Sequence, residues 1–435
     1  MRYTTSSTRR LSLAIALSAL PAVAIAQQPI SIQHIRPVDQ RGVNVFEPPK
    51  KDTVEFKGTA ISWGAAFTQQ FQALDHENTA APRLVNNVDQ NKLIAIGNGF
   101  NNAVANLYLN AQLAKGIRVS MTSYLSARHH NEAWVKDGYL LIDDSPINFK
   151  PFTELMKYVT VKAGHFEINY GDGHFRRTDN GNAMYNPFVG NYVMDAFTTE
   201  VGGEVYVHDG WWQVMAGVTN GEVRGMVLNP GARSPAYLGK AGIDRKFTPD
   251  LRVRLMGSII RQKSSANQTL YGGDRAGSRY YDVLENTAST EAAQAWSGMV
   301  RNPFTSKING FVVNPFIKYR GLELFGQYEE ATGNNGATET TGDRTWKQTV
   351  GEALYRFAGD HVYLGGRYNT AKGKLFGVTP QVSVDRYQLG GGWFLTPNIL
   401  TKFEYVNQKY NDFPTNDIRN GGKFKGFMVE GVVAF

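Results

Sequence analysis

The residues best suited to chemistry gather in one stretch. Asp172, His174, Arg176, Arg177 and Asp179 stand close together, punctuated by Gly171, Gly173 and Gly181. Acids and bases opposed across a narrow space set up a field that orients polar molecules. Hydrolytic catalysis would ask for more: a nucleophile, an imidazole and an acid brought together. His165, His208 and His361 fall in strand-like segments, and none has a nucleophile partner in its sequence neighbourhood. The adjacent His129 and His130 lack carboxylate or thiolate partners at metal-ligand spacing and read as a solvated loop tip. Gly97-Asn98-Gly99 and Gly272-Gly273-Asp274 lack the strand-to-helix setting of a phosphate cradle and read as turns. The chain has no cysteine, which excludes a disulfide framework and thiolate metal sites. No cofactor, metal or catalytic residue is expected.

The elements that must position these residues follow from composition and period. Arg2, Arg9 and Arg10 precede a short apolar run that ends in Ala24-Ile25-Ala26. This is the pattern of a secretory signal peptide over 1–26. The polar, proline-bearing segment 27–52 reads as an irregular periplasmic leader, and 53–435 as a single domain. The net charge of +8 is scattered along an exported chain, which argues against a nucleic-acid partner. Beyond the leader no long apolar run suggests a membrane helix. With 45 glycines and 12% aromatic residues, two readings remain. One is a soluble periplasmic β protein. The other is a transmembrane β-barrel, whose signal is alternation rather than hydropathy.

Alternation dominates from Val54 onward. Ala105, Leu107, Leu109, Ala111 and Leu113 share one face, and Asn106, Tyr108, Asn110 and Gln112 the other. Sixteen such segments run from 54–71 to 424–435. Tight connections such as 114–116, 209–210, 320–321 and 358–360 alternate with long ones such as 72–100, 171–197 and 263–307. Short turns on one rim and long loops on the other are the outer-membrane barrel pattern. The inner link 143–157 is long enough for a helical turn. A spanning sheet must close, because lipid satisfies no free strand edge. The expected fold is therefore all-β: a sixteen-stranded antiparallel transmembrane barrel. Its outer face should be apolar and its lumen wet, with no core of the soluble kind. Trp211, Trp212, Phe247, Tyr355, Phe357, Trp393, Phe394, Phe403 and Tyr405 are candidates for its interfacial aromatic girdles.

Phe427, Val429, Gly431, Val433 and Phe435 alternate to an aromatic C-terminus. This resembles the terminal strand of Gram-negative outer-membrane proteins and implies recognition by the barrel-assembly machinery. Val161-Lys162-Ala163-Gly164-His165-Phe166-Glu167-Ile168-Asn169-Tyr170-Gly171-Asp172 resembles the strand before the constriction loop of substrate-type bacterial porins. Phosphate-selective and oligosaccharide- or alginate-type porins are the nearest kinds. The resemblance implies that the third outer loop folds inward, that the protein is a homotrimer in outer-membrane lipid, and that it passes small polar or anionic solutes. Asp172, His174, Arg176, Arg177 and Asp179 would then line a constriction, with Arg118, Arg128, Arg252 and Arg254 on the lumen wall. Parity also turns Lys318, Arg320, Arg356, Arg367, Arg386 and Lys402 inward, against Glu200, Glu204, Glu323, Glu329, Glu352, Glu404 and Glu430. Bases outnumber acids slightly, which mildly favours anions. A barrel enzyme of lipase or protease type is the alternative within the same membrane.

Overall fold

The computed structural model describes residues 32–48, 50, 54–126, 132–223, 233–277, 279–290, 297–301, 303–339, 342–378 and 380–435. The signal-like leader, Arg128 and the His129-His130 pair lie outside the described residues. Sixteen long strands are present: β1 (Ala60–Glu77), β2 (Val104–Ala114), β3 (Ile117–Ser126), β4 (Glu132–Ile142), β5 (Val159–Glu167), β6 (Thr199–Asp209), β7 (Trp212–Thr219) and β8 (Ala236–Lys246). They continue with β9 (Leu251–Gln262), β10 (Lys307–Tyr319), β11 (Leu322–Asn334), β12 (Arg344–Phe357), β13 (Val362–Lys374), β14 (Gln381–Thr396), β15 (Ile399–Asn411) and β16 (Lys423–Ala434).

Each strand pairs with the next in one sheet, and the sheet closes on itself. β1 pairs with β16 antiparallel, from Ala66 opposite Ala434 to Glu77 opposite Lys423. It also pairs with β2, from Ala60 opposite Gln112 to Thr68 opposite Val104. Phe435 completes the seam by exchanging two backbone hydrogen bonds with Ala65, at 2.8 and 2.9 Å. The expected sixteen-stranded barrel is what the chain forms, and the strand edges that lipid would leave unpaired are joined. The first strand begins at Ala60 rather than 54, and the link after β4 carries the helical turn α1 (Lys150–Met156).

Period two sets the two faces. Along β12 the side chains of Trp346, Gln348, Val350, Glu352, Leu354 and Arg356 turn in, while Thr349, Gly351, Ala353, Tyr355 and Phe357 turn out. Trp63, Leu364, Leu389 and Trp393 belong to the same outward apolar surface. Of the girdle candidates, Trp211, Trp212, Phe247, Tyr355, Phe357, Trp393 and Phe403 are exposed. Phe394 is not: it faces inward at 2% exposure and packs near Tyr363. Arg320 also departs from the parity reading. It sits at a tight turn with φ of 51°, 68% exposed, paired to Asp250 at 3.2 Å.

The lumen departs further from expectation, because much of it is packed rather than wet. Residues 168–198, the third long-rim link (L3), fold inward. The described part of 263–306 folds in beside them. Val193 and Met194 of L3 and Leu270, Tyr271, Tyr280 and Leu284 of the second loop join a buried apolar cluster. Ile260, Ile308, Val312, Trp346, Val384 and Phe424 of the wall complete it. Alternation reads each strand's own face, and it carries no information about a distant loop that comes to cover that face.

The segment 32–48 enters the lumen at the tight-turn rim. Gln40 donates its N–H to Pro397 O at 2.9 Å and its side-chain amide to Asp360 O at 3.1 Å. Gln33 accepts from Gly116 N–H at 3.0 Å, and Asn44 donates to Glu323. Phe46 packs edge-on against Phe175 and Phe316, with ring centres at 5.7 and 5.5 Å.

Candidate functional site: an off-centre cavity

An irregular loop inside a barrel must find partners for its backbone polar groups. The inward-facing wall residues supply them. Lys402 donates to the carbonyls of Ala183, Asn186 and Phe188 at 2.9 to 3.1 Å. Glu404 accepts from Val189 N–H at 2.8 Å, Asn369 from Val193 N–H at 2.7 Å and Gln348 from Met194 N–H at 2.7 Å. Gly181 presses on β1 and β2. A Cβ there would stand 2.5 Å from Ala105 Cα and 2.7 Å from Ala66 O, so only glycine fits.

Ion pairs bolt the loop on as well. Arg254 grips Asp172 with two hydrogen bonds of 2.7 and 2.8 Å, and reaches Glu47 of the N-terminal segment at 2.6 Å. Lys240 joins the same group, 2.8 Å from Asp172 and 2.9 Å from Glu47. Burial pushes the carboxyls of Asp172 and Glu47 up, but Arg254 and Lys240 outweigh it and hold both below their ordinary values. Arg176 is buried between Glu352, at 3.3 Å, and Asn44. Arg252 pairs bidentately with Asp244 at 2.7 and 2.6 Å. Arg177 does the same with Asp195 of its own loop, at 2.7 and 2.6 Å.

With L3 drawn against β8–β16, a cavity of about 300 Å³ is left on the other side of the lumen. The walls β2–β7 and the segment 34–48 enclose it. It extends from Asp143, His208 and Gln213 near the tight-turn rim to Lys136, Asp137 and Asp179 midway along the strands. His174, Arg177 and Asp179 of the charged stretch line it, and so does Arg118, paired to Asp143 at 2.8 Å. Asp172, Arg176, Arg252 and Arg254 lie away from it, in the contacts that fix L3 and segment 32–48 to the wall.

The inner end is built by an irregularity in β4. Thr122 pairs with Asp137 but Ser123 pairs with Val135, so Lys136 is an extra residue. Such a bulge flips strand parity and re-aims side chains. Lys136 and Asp137, adjacent in sequence, are consequently both buried on the lumen side. The Lys136 ammonium stands 2.6 Å from Glu167, 3.2 Å from Asp179 and 3.3 Å from Asp137. Burial and nearby Asp274 push the Asp179 carboxyl well above the usual range, against the pull of Arg275 and Arg279. Burial also lowers His174 below the ordinary 6.5, although its hydrogen bond to Glu167 opposes the shift. Sequence reasoning missed Lys136, Asp137 and Glu167. Its one available signal was the switch of apolar parity between Val135 and Leu140.

No family model matches the chain, and no curated protein matches it in sequence. Solved structures do match. An anion-selective porin from Comamonas acidovorans superposes with a TM-score of 0.52 at 12% identity, covering 87% of this chain and 100% of that one. Pseudomonas putida OprB gives 0.51 at 11%, covering 87% and 94%. Vibrio cholerae OmpT, described as a trimer form, gives 0.50 at 11%, covering 87% and 100%. The fold is that of the sixteen-stranded outer-membrane porins. That fold, with its outward apolar face, puts the chain in the outer membrane.

Proposed function

We propose that the chain is a passive diffusion channel for small polar or anionic solutes, and that it performs no catalysis. The observation that carries this reading is the charged cavity that reaches from the tight-turn rim to midway along one side of a closed membrane barrel. Solutes would pass between β2–β6 and L3, and the constriction would be the ring formed by His174, Arg177 and Asp179 with Lys136, Asp137 and Glu167. Asp172, Arg176, Arg252 and Arg254 act as anchors that hold L3 and segment 32–48 in place. Selectivity comes from width and from these fixed charges. An enzyme reading finds little support at this site. Both ring nitrogens of His174 are occupied, by Glu167 at 3.1 Å and Asn169 at 3.0 Å, leaving none for a nucleophile. A homotrimer fits the Vibrio cholerae relative's described form, and the alternating terminal strand fits handling by the barrel-assembly machinery.

The constriction is tested with Lys136→Gln. Removing the positive charge beside Glu167 and Asp137 makes the ring more negative. In planar bilayers under a salt gradient, the cation-to-anion permeability ratio should rise by about twofold or more. An unchanged reversal potential would place the constriction elsewhere.

A further inference from the structure

The bases that line the cavity are not equivalent. Arg118 is paired to Asp143, Lys136 to three carboxylates, Lys162 to Glu204 at 3.4 Å, and Arg177 to Asp195. Their charge is spent on the protein itself. Arg36, on the N-terminal segment, has no carboxylate within ion-pair range among the described residues. Its Nε and Nη2 donate to Gly42 O at 3.0 and 2.9 Å, and Nη2 also donates to Phe175 O at 3.0 Å. Among the described residues its Nη1 makes no hydrogen bond. The guanidinium carbon lies over the ring of Tyr185, 3.6 Å from its centre, with Phe175 at 5.6 Å. Two backbone carbonyls and an aromatic face thus hold it in place, and the residue is half-buried where it lines the cavity.

We infer that Arg36 is the anion-recognising group of the passage, and that it receives the carboxylate of a small solute with a flat apolar body. This rests on the channel reading and names its solute class. A guanidinium is suited to carboxylate, and a preorganised one loses little freedom on binding. The cavity beside it is faced by the rings of Phe46, Tyr108, Tyr139 and Tyr206, which offer apolar walls to a planar molecule. The Asp137 carboxylate farther along repels a second negative charge, so a monoanion is favoured over phosphate or a dicarboxylate. The recognising charge is therefore carried by neither the barrel wall nor L3, but by a segment tucked in from the tight-turn rim.

The test uses the full chain, refolded in detergent, and three probes: benzoate, acetate and benzamide. In single-channel recordings benzoate should block at a concentration at least tenfold lower than acetate, and benzamide should not block. Arg36→Gln should raise the half-blocking benzoate concentration at least tenfold. Arg36→Lys keeps the charge but not the guanidinium, and should fall between. Heat-modifiable gel mobility verifies that each variant has folded. Titration calorimetry of benzoate on the same samples reads binding without conduction. Binding that Arg36→Gln abolishes, in a chain that passes no current, would sink the channel reading and keep the site. A conducting chain in which Arg36→Gln binds benzoate like the parent, or in which benzamide blocks as well as benzoate, would overturn the site and keep the channel.

Discussion

Arg254 and Asp172 show how residue chemistry is shared between holding and conducting. Both are charged and inward, and both are almost fully buried. Their bidentate pair, extended by Lys240 and Glu47, joins the wall, L3 and the N-terminal segment at one point. Breaking a buried pair by removing one partner costs roughly 3–5 kcal/mol, because the other charge is left uncompensated. Arg254→Met should therefore destabilise the folded barrel by about that amount in urea unfolding from detergent. Asp172→Asn with Arg254→Met removes both charges and should recover part of the loss. A fully stable Arg254→Met protein would deny the anchor role. The charged stretch itself was legible as residue types in the sequence. Which of its members pair with the wall and which face the cavity was not, since that depends on strands far along the chain: Arg254 for Asp172, Glu352 for Arg176.

L3 works as an element because its base and its tip are fastened differently. Lys240, Arg254 and Asn314 hold it near Gly171 and Asp172, while Gly181 lies flat against β1 and β2. Gly181→Val would place side-chain atoms inside the van der Waals radius of Ala105 and Ala66, and overpacking of this kind costs roughly 1–3 kcal/mol. The loop tip should lift from the wall. Single-channel conductance and its open-state noise should then rise, with the barrel still heat-modifiable; unchanged conductance would mean that the tip's seat does not limit the passage. The strands around L3 were readable almost residue by residue, as with Leu251–Gln262, since alternation and turn residues are local signals. The bulge at Lys136 was not read, although the parity switch from Val135 to Leu140 records it. The second inward loop was unreadable for a different reason: what draws it in is packing against L3, seen in Phe197 N–H donating to Leu270 O at 2.7 Å and Val300 N–H to Val193 O at 2.8 Å.

At the scale of the whole molecule, the barrel is a closed wall around an asymmetric filling. One side, β8 to β16, is packed against L3 and the second loop. The other, β2 to β7, faces the cavity with its aromatic and charged lining. Closure was foreseeable from the chain because an open sheet has no stable place in lipid, and the pairing of β1 with β16 meets that requirement. The filling was not foreseeable, because strand parity places a side chain inside without saying what it meets there. The permeation account depends on the cavity along β2 to β7. It is tested most directly by reconstituting the purified protein in a planar bilayer and recording single channels under a salt gradient. The account predicts discrete conductance steps, a reversal potential that moves with substitution of Lys136, and no steps from heat-denatured protein. A folded, membrane-inserted barrel that passes no ions at any applied voltage would contradict it.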